Sequence, residues 1–403
     1  MAAALFVVLT GNAGAQPTPE CLLALEPLLE DTSDSCIGHP TNPKFFDTST
    51  FLWNGRPQLA VNIGNEIQLW DISDAANPFE GDLSDLGVDN QGDSDYDLLN
   101  HSICDDCRWG YATFKIGNVI FDLGTDSSFP DFTTQHLYPT NAESLGGFMF
   151  KVGNQQYLLA NFLPKDCGGD ATLYRVNGIH DDDFQKIGCV DVPGYDGKIL
   201  NGAHLFKDGT HYVYLGMGNR QIYIYQVQEI GGTINLQFAN QPIDFRAFLT
   251  RGKGLGIDKA SELAVTALSN GGFRIWDISN PAEPVELAHV PYTADFNVNT
   301  AAIRYPFVWV AHKLYGGTSK TYNIEDPSNP VEMDPNFWDP SQPWNSHGEE
   351  CEWPQGASFS DDGYVMYLAR YSVVQMIDFS FCPSVFADSF ESGDTSAWSA
   401  VAP

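Results

Sequence analysis

The chain has 403 residues, too many for one small module and enough for a large single core. Hydrophobic residues make up 43% and charged residues 18%, which excludes a disordered tail or a coiled coil. Acids outnumber bases 52 to 20, for a net charge of −32, and this argues against nucleic acid or an anionic membrane as partner, since both need a basic footprint.

At the N-terminus, Ala2–Leu9 is a short apolar run, and Ala13-Gly14-Ala15 has the small-residue pattern of a cleavage site. Residues 1–15 therefore read as a signal peptide, although a basic n-region is missing. No other stretch approaches the run of about 18 apolar residues that a membrane helix needs, so membrane insertion is not expected. Residues 16–44 form an extension with Cys21, Cys36 and the segment CLLALEPLLE, read as a short helix or a closing element.

From residue 45 onward one strand recurs seven times: EIQLWDIS (66–73), GNVIFDLG (117–124), ATLYRVNG (171–178), QIYIYQVQ (221–228), GFRIWDIS (272–279), SKTYNIED (319–326) and VVQMIDFS (373–380). Aligned on Trp70, Phe121, Tyr174, Tyr225, Trp276, Tyr322 and Ile377, the copies are spaced by 51, 53, 51, 51, 46 and 55 residues. The next residue is polar in every copy: Asp71, Asp122, Arg175, Gln226, Asp277, Asn323 and Asp378. A second strand precedes each copy, from LAVNI (59–63) to YVMYLA (364–369), and Asn54-Gly55, Asp208-Gly209 and Asp362-Gly363 are hairpin signals. Strands that are apolar on both faces are buried on both faces, so a unit of about four strands and ~50 residues must stack on its neighbours. The expected fold is all-β, a seven-bladed β-propeller of four-stranded blades over residues 45–382, rather than one of six or eight blades.

The fifth copy, ELAVTALSNGGFRIWDISNPAEPVELAHV (262–290), resembles an LVIVD repeat, in which a short apolar strand leads into G-x-x-I-x-D-I-S-x-P-x-x-P. The first copy matches nearly as well and the sixth matches around NIEDPSNPVEM, whereas the second, third and fourth agree only in spacing and apolar pattern. The resemblance implies a secreted or surface-attached bacterial β-propeller and brings little agreed activity with it. The tail, residues 383–403, resembles a short ending found on many secreted bacterial proteins.

Eight cysteines suit an oxidising compartment, and proximity in sequence suggests Cys21–Cys36, Cys104–Cys107, Cys167–Cys189 and Cys351–Cys382. Cys104-Asp105-Asp106-Cys107 stands at the hairpin position occupied later by Ser360-Asp361-Asp362-Gly363, so a turn-clamping disulfide is expected in place of a redox motif.

Chemistry is harder to read. Metalloprotease, nucleophile-elbow and P-loop signatures are missing, and the Gly252–Gly256 run leads into a strand, where no helix N-terminus can cradle phosphate. Asp93, Asp95 and Asp97 alternate in an acidic loop and can direct three carboxylates at calcium, or can form a solvated loop. Polar residues just ahead of the innermost strands (Asn100-His101, Asn141, Glu143, Asn201, His204, Asn297, Asn299, His347, Glu349, Glu350) would converge at the channel mouth. There His101, His204 and His347 could ligate a transition metal with Glu349 or Glu350 as ligand or base, or the group could line a hydrated funnel. His39, His136, His211, His289 and His312 show no partner pattern and read as packing or surface residues. A long loop, 336–354, sets Trp338, Trp344 and Trp353 among carboxylates, suited to stacking on a sugar or peptide or to capping the ring.

The expectation is a secreted or cell-surface, monomeric binding scaffold for a glycan, peptide or surface protein. The alternative is a metal-dependent hydrolase or oxidoreductase at the channel mouth, and a purely structural surface role stands third.

Overall fold

The computed structural model describes residues 23–24, 28–30, 45–63, 66–85, 98–114, 117–125, 130, 134–139, 147–160, 171–190, 199–217, 221–240, 243–244, 254–268, 271–291, 298–312, 319–333, 354–370 and 373–379. It is a seven-bladed β-propeller of antiparallel sheets. Two short strands come first, β1 (Leu23–Ala24) and β2 (Leu29–Glu30). Blade 1 is β3 (Phe45–Trp53), β4 (Arg56–Ile63), β5 (Glu66–Asp71) and β6 (Phe79–Asp85). Blade 2 is β7 (Leu98–Ser102), β8 (Trp109–Phe114), β9 (Gly117–Asp122) and β10 (Thr134–Pro139). Blade 3 is β11 (Gly147–Val152), β12 (Gln155–Ala160), β13 (Ala171–Val176) and β14 (Phe184–Val190). Blade 4 is β15 (Ile199–Lys207), β16 (Thr210–Met217), β17 (Gln221–Ile230) and β18 (Thr233–Phe238), with β19 (Ile243–Asp244) also on β17. Blade 5 is β20 (Leu255–Asp258), β21 (Leu263–Ala267), β22 (Phe273–Asp277) and β23 (Val285–Val290). Blade 6 is β24 (Val298–Arg304), β25 (Phe307–His312), β26 (Ser319–Asn323) and β27 (Val331–Met333). Blade 7 is β28 (Pro354–Phe359), β29 (Val365–Arg370) and β30 (Val373–Asp378).

Blade 7 takes its outer edge from the other end of the chain. Leu23 and Ala24 pair with Asp378 and Ile377, and Leu29 and Glu30 pair with Val374 and Val373. The described part of CLLALEPLLE is thus a closing element made of strand, and the helix entertained for it is not formed there. The reason is local: β30 offers an open edge, and its unpaired amide and carbonyl groups are satisfied by extended backbone.

The seven repeated strands are the third strand of each blade, and the strand preceding each is the second. Alternation explains their continuous apolar character. On β4, Leu59 and Val61 enter the seam with blade 7, while Ala60 enters the seam with blade 2. Seven apolar clusters fill the seven seams between neighbouring blades, the 7–1 closure included. Each aligned repeat residue points into the seam with the preceding blade, from Trp70 against blade 7 to Ile377 against blade 6. The polar residue after it has a turn to hold. The side chains of Asp71, Asp122, Asp277 and Asn323 each accept a hydrogen bond from the backbone N–H two residues on, at 2.7–2.8 Å. That part of the repeat motif is architectural.

Cys104 and Cys107 are joined by a disulfide across the β7–β8 hairpin, and the equivalent β28–β29 hairpin carries Asp361–Gly363, as the sequence comparison of the two turns implied. Cys189 is also disulfide-bonded, to a cysteine outside the described residues. Among the described residues no cysteine is free, and no helix is long and apolar enough to cross a membrane.

Candidate functional site: the central cavity

The innermost strands β3, β7, β11, β15, β20, β24 and β28 surround a cavity of about 670 Å³. Strands that converge on an axis leave little room, so much of the wall is Gly147, Gly202, Ala203, Gly256, Ala301, Ala302 and Ala357. Hydroxyl groups collect on the other side: Thr48, Ser49 and Thr50 from blade 1, Ser102 from blade 2 and Ser358 from blade 7. Four of these hydroxyls make hydrogen bonds within the protein, and on the facing side the small residues are interspersed with Asn201, His204, Lys259 and Arg304.

Pairing register makes Thr48, His101, Gly147, Gly202, Leu255, Ala301 and Ala357 equivalent, opposite Val61, Ala112, Ala160, Leu215, Thr266, Val310 and Leu368. These positions meet the preceding blade with complementary size. Ser358 donates a hydrogen bond to Thr48 at 3.0 Å, His101 Nε2 and Ser49 Oγ share a hydrogen bond, and Gly202 lies where any Cβ would meet the Phe148 ring. His101, 3% exposed, is thus first a seam residue. Its contact with Ser49 has the chemistry of a base on a hydroxyl, but at the equivalent place in the next seam a hydroxyl pair, Thr48 and Ser358, takes the same position with no base.

His101 and His204 both line the cavity, but they lie within β7 and β15, not ahead of them, and each is bonded to another partner, Ser49 and His211. Strand residues there are small or polar, so the apolar pattern that marks other strands is missing. His204 pairs instead with His211, read above as an ordinary packing or surface residue, with Nε2 and Nδ1 2.9 Å apart and the rings stacked. The Asp208-Gly209 hairpin sets Phe206 opposite His211, and His204 lies two residues before Phe206 on the same face. Counting outward from that turn would have revealed the pair. Burial, then the neighbouring His211 and Lys259, pushes the His204 pKa down to about 3, against a smaller opposing pull from Asp105. Burial also lowers that of His211, opposed by Glu229. Both imidazoles are neutral at physiological pH.

The hairpin end of the cavity is bound by charges. Lys151 of blade 3 donates to the Asp106 carbonyl at 2.8 Å, and Lys207 of blade 4 reaches Glu262 of blade 5. Arg304 of blade 6 pairs with buried Asp258 of blade 5 at 3.1 Å and with the Asp361 carbonyl of blade 7. Lys259 of blade 5 donates to Asp105 Oδ2 of blade 2 at 2.9 Å. Asp105 Oδ1 accepts the Leu52 N–H of blade 1 at 3.0 Å. Burial works against the Asp105 carboxylate, but Lys259 and the Leu52 N–H outweigh it and hold its pKa below the usual carboxylate value. Sequence reading passed over Asp105, Lys259, His211 and Ser49, because each acquires its role from a residue in another strand or blade.

Asp93, Asp95, Asp97, Trp338, Trp344, Trp353, His347, Glu349 and Glu350 lie outside the described residues, as do residues 1–15, read as a signal peptide, and 383–403. Among the described residues, no three His, Cys, Asp or Glu side chains gather as a metal site. No protein-family model matches this chain, and a search of curated proteins returns no match.

Proposed function

We propose that this chain is a secreted or cell-surface bacterial β-propeller, of the kind that carries LVIVD repeats, and that it acts as a monomeric binding scaffold for a glycan, peptide or surface protein. The observation that carries this reading is the cavity of about 670 Å³, within the ~300–1,000 Å³ typical of ligand sites. Its lining mixes polar and charged side chains with glycine and alanine, which let a ligand backbone or ring come close to the strands.

Glycan and peptide arrays probed with the intact protein test the reading. Two variants locate the contact: Thr50→Trp narrows the cavity, and Trp344→Ala alters the long loop near the C-terminus. Loss of the captured ligand with Thr50→Trp is the expected result. Loss with Trp344→Ala alone would move recognition to the loop, and an empty array would count against the scaffold reading.

A metal-dependent hydrolase or oxidoreductase at the same cavity is the second reading, and the presence of His101 and His204 in its lining favours it. It requires one nitrogen of each ring to be turned toward a common ion. One transition metal per chain, lost in His101→Ala/His204→Ala, would reverse the order of the two readings.

A further inference from the structure

The Lys259–Asp105 pair stands apart from the other ion pairs among the described residues. Those join groups within one blade or in adjacent blades, whereas this one joins blade 5 to blade 2, nearly opposite positions on the ring, across the cavity mouth. Both ends reach solvent, with side chains 58% and 43% exposed, and an exposed pair of this kind adds little to stability. Its two halves are also held unequally. Asp105 sits in the loop closed by the Cys104–Cys107 disulfide and is fixed by the Leu52 N–H, while Lys259 arrives on a flexible four-carbon stem.

We propose that Asp105 anchors a recognition site for a lysine side chain of a partner peptide, and that Lys259 fills this site as an intramolecular stand-in. This rests on the scaffold reading and names its ligand. The chemistry of the anchor selects lysine over arginine. Asp105 Oδ1 already accepts the Leu52 N–H and Oδ2 takes the ammonium of Lys259, and one oxygen less engaged than the other suits a point charge better than a two-pronged guanidinium. The surroundings agree. The His204–His211 pair is neutral and does not repel a cation. Phe206 lies on His211 and presents a ring that is 62% exposed, a surface for the aliphatic stem or the charge. Lys151 and Arg304 are engaged by Asp106, Asp258 and Asp361 and leave Asp105 to Lys259. A net charge of −32 draws a basic segment toward the molecule.

The test is fluorescence anisotropy of a labelled, end-blocked peptide with one central lysine, against the same peptide with arginine or Nε-acetyl-lysine. Lys259→Ala removes the competitor and should tighten the lysine peptide about two- to fivefold, the equivalent of one exposed ion pair. Asp105→Asn keeps the acceptor for Leu52 and should weaken it by about tenfold or more. Asp182→Asn, an exposed acid on the 3-10 turn of blade 3, removes the same charge and should have no effect. Equal binding by the Asp105→Asn and Asp182→Asn variants would reduce the attraction to net charge and overturn the proposal. So would equal affinity for the acetylated peptide, or weaker binding by Lys259→Ala. Thermal melts confirm folding, and if Asp105→Asn does not fold, Lys259→Ala and the peptide series still decide. Should lysine peptides fail while an array ligand is lost with Thr50→Trp, only the lysine assignment falls; should both fail, the scaffold reading falls with it.

Discussion

His204 keeps a neutral imidazole far below the pH at which free histidine takes up a proton, because the protein shields it and sets a second imidazole and an ammonium beside it. The unfolded chain binds a proton there near pH 6.5, and the folded chain does so only near 3. A base whose pKa falls on folding contributes stability that is fully present above its unfolded pKa and is lost as pH drops through the interval. Denaturation curves should therefore show a loss between pH 6.5 and about 3 that His204→Phe removes; parallel curves for the two proteins would refute this account. Gly202 makes a second residue-scale case. A Cβ there would lie 2.4 Å from Phe148, so Gly202→Ala should cost about 1–3 kcal/mol by overpacking. Adding Phe148→Ala opens the seam, and the double variant should be more stable than the sum of the single effects. Strict additivity in equilibrium denaturation would mean that the two sites do not share this contact. Neither site showed in the hydrophobic pattern. His204 needed its turn-mate, and Gly202 needed a neighbour more than fifty residues away.

Strands divide into two kinds by how well they read. The second and third strands carry branched and aromatic residues because both their faces enter apolar seams, and they were recognised in all seven blades. The first strands run beside the axis, where segments such as ILNGAHLFK and VNTAAIR hold small and polar residues, and their hydrophobic pattern is correspondingly thin. For that reason Asn100, His101, Asn201, His204 and Asn299 were placed ahead of the inner strands when the structure holds them inside. The closing strands make the element-scale prediction. A chain beginning at residue 45 loses the β1 and β2 pairing on β30 and the hydrogen bond from Leu28 N–H to the Val374 carbonyl. Its midpoint in urea should fall, and it should associate more readily through the uncovered edge. An unchanged midpoint and a monomeric state by light scattering would show that the ring closes through the 7–1 apolar seam alone.

For the whole molecule, a net charge of −32 on a closed ring produces self-repulsion that salt relieves. The melting temperature should rise as sodium chloride is increased from low concentration to the physiological range, and a flat response would mean that local pairing already neutralises the field. The architecture was present in the chain as a period: a unit of four strands cannot bury its two apolar faces alone, so seven similar units must stack, and a ring is the arrangement in which each finds two neighbours. The cavity and its charged mouth obey no such period. Ser49 and His101, Gly202 and Phe148, and Lys259 and Asp105 become neighbours only when blades pack side by side or face one another across the axis, over sequence separations of about 50 to more than 150 residues. Repetition marks what every blade must do to fold, whereas the site is built from the positions at which the blades differ, and those differences acquire meaning once the ring has brought them together.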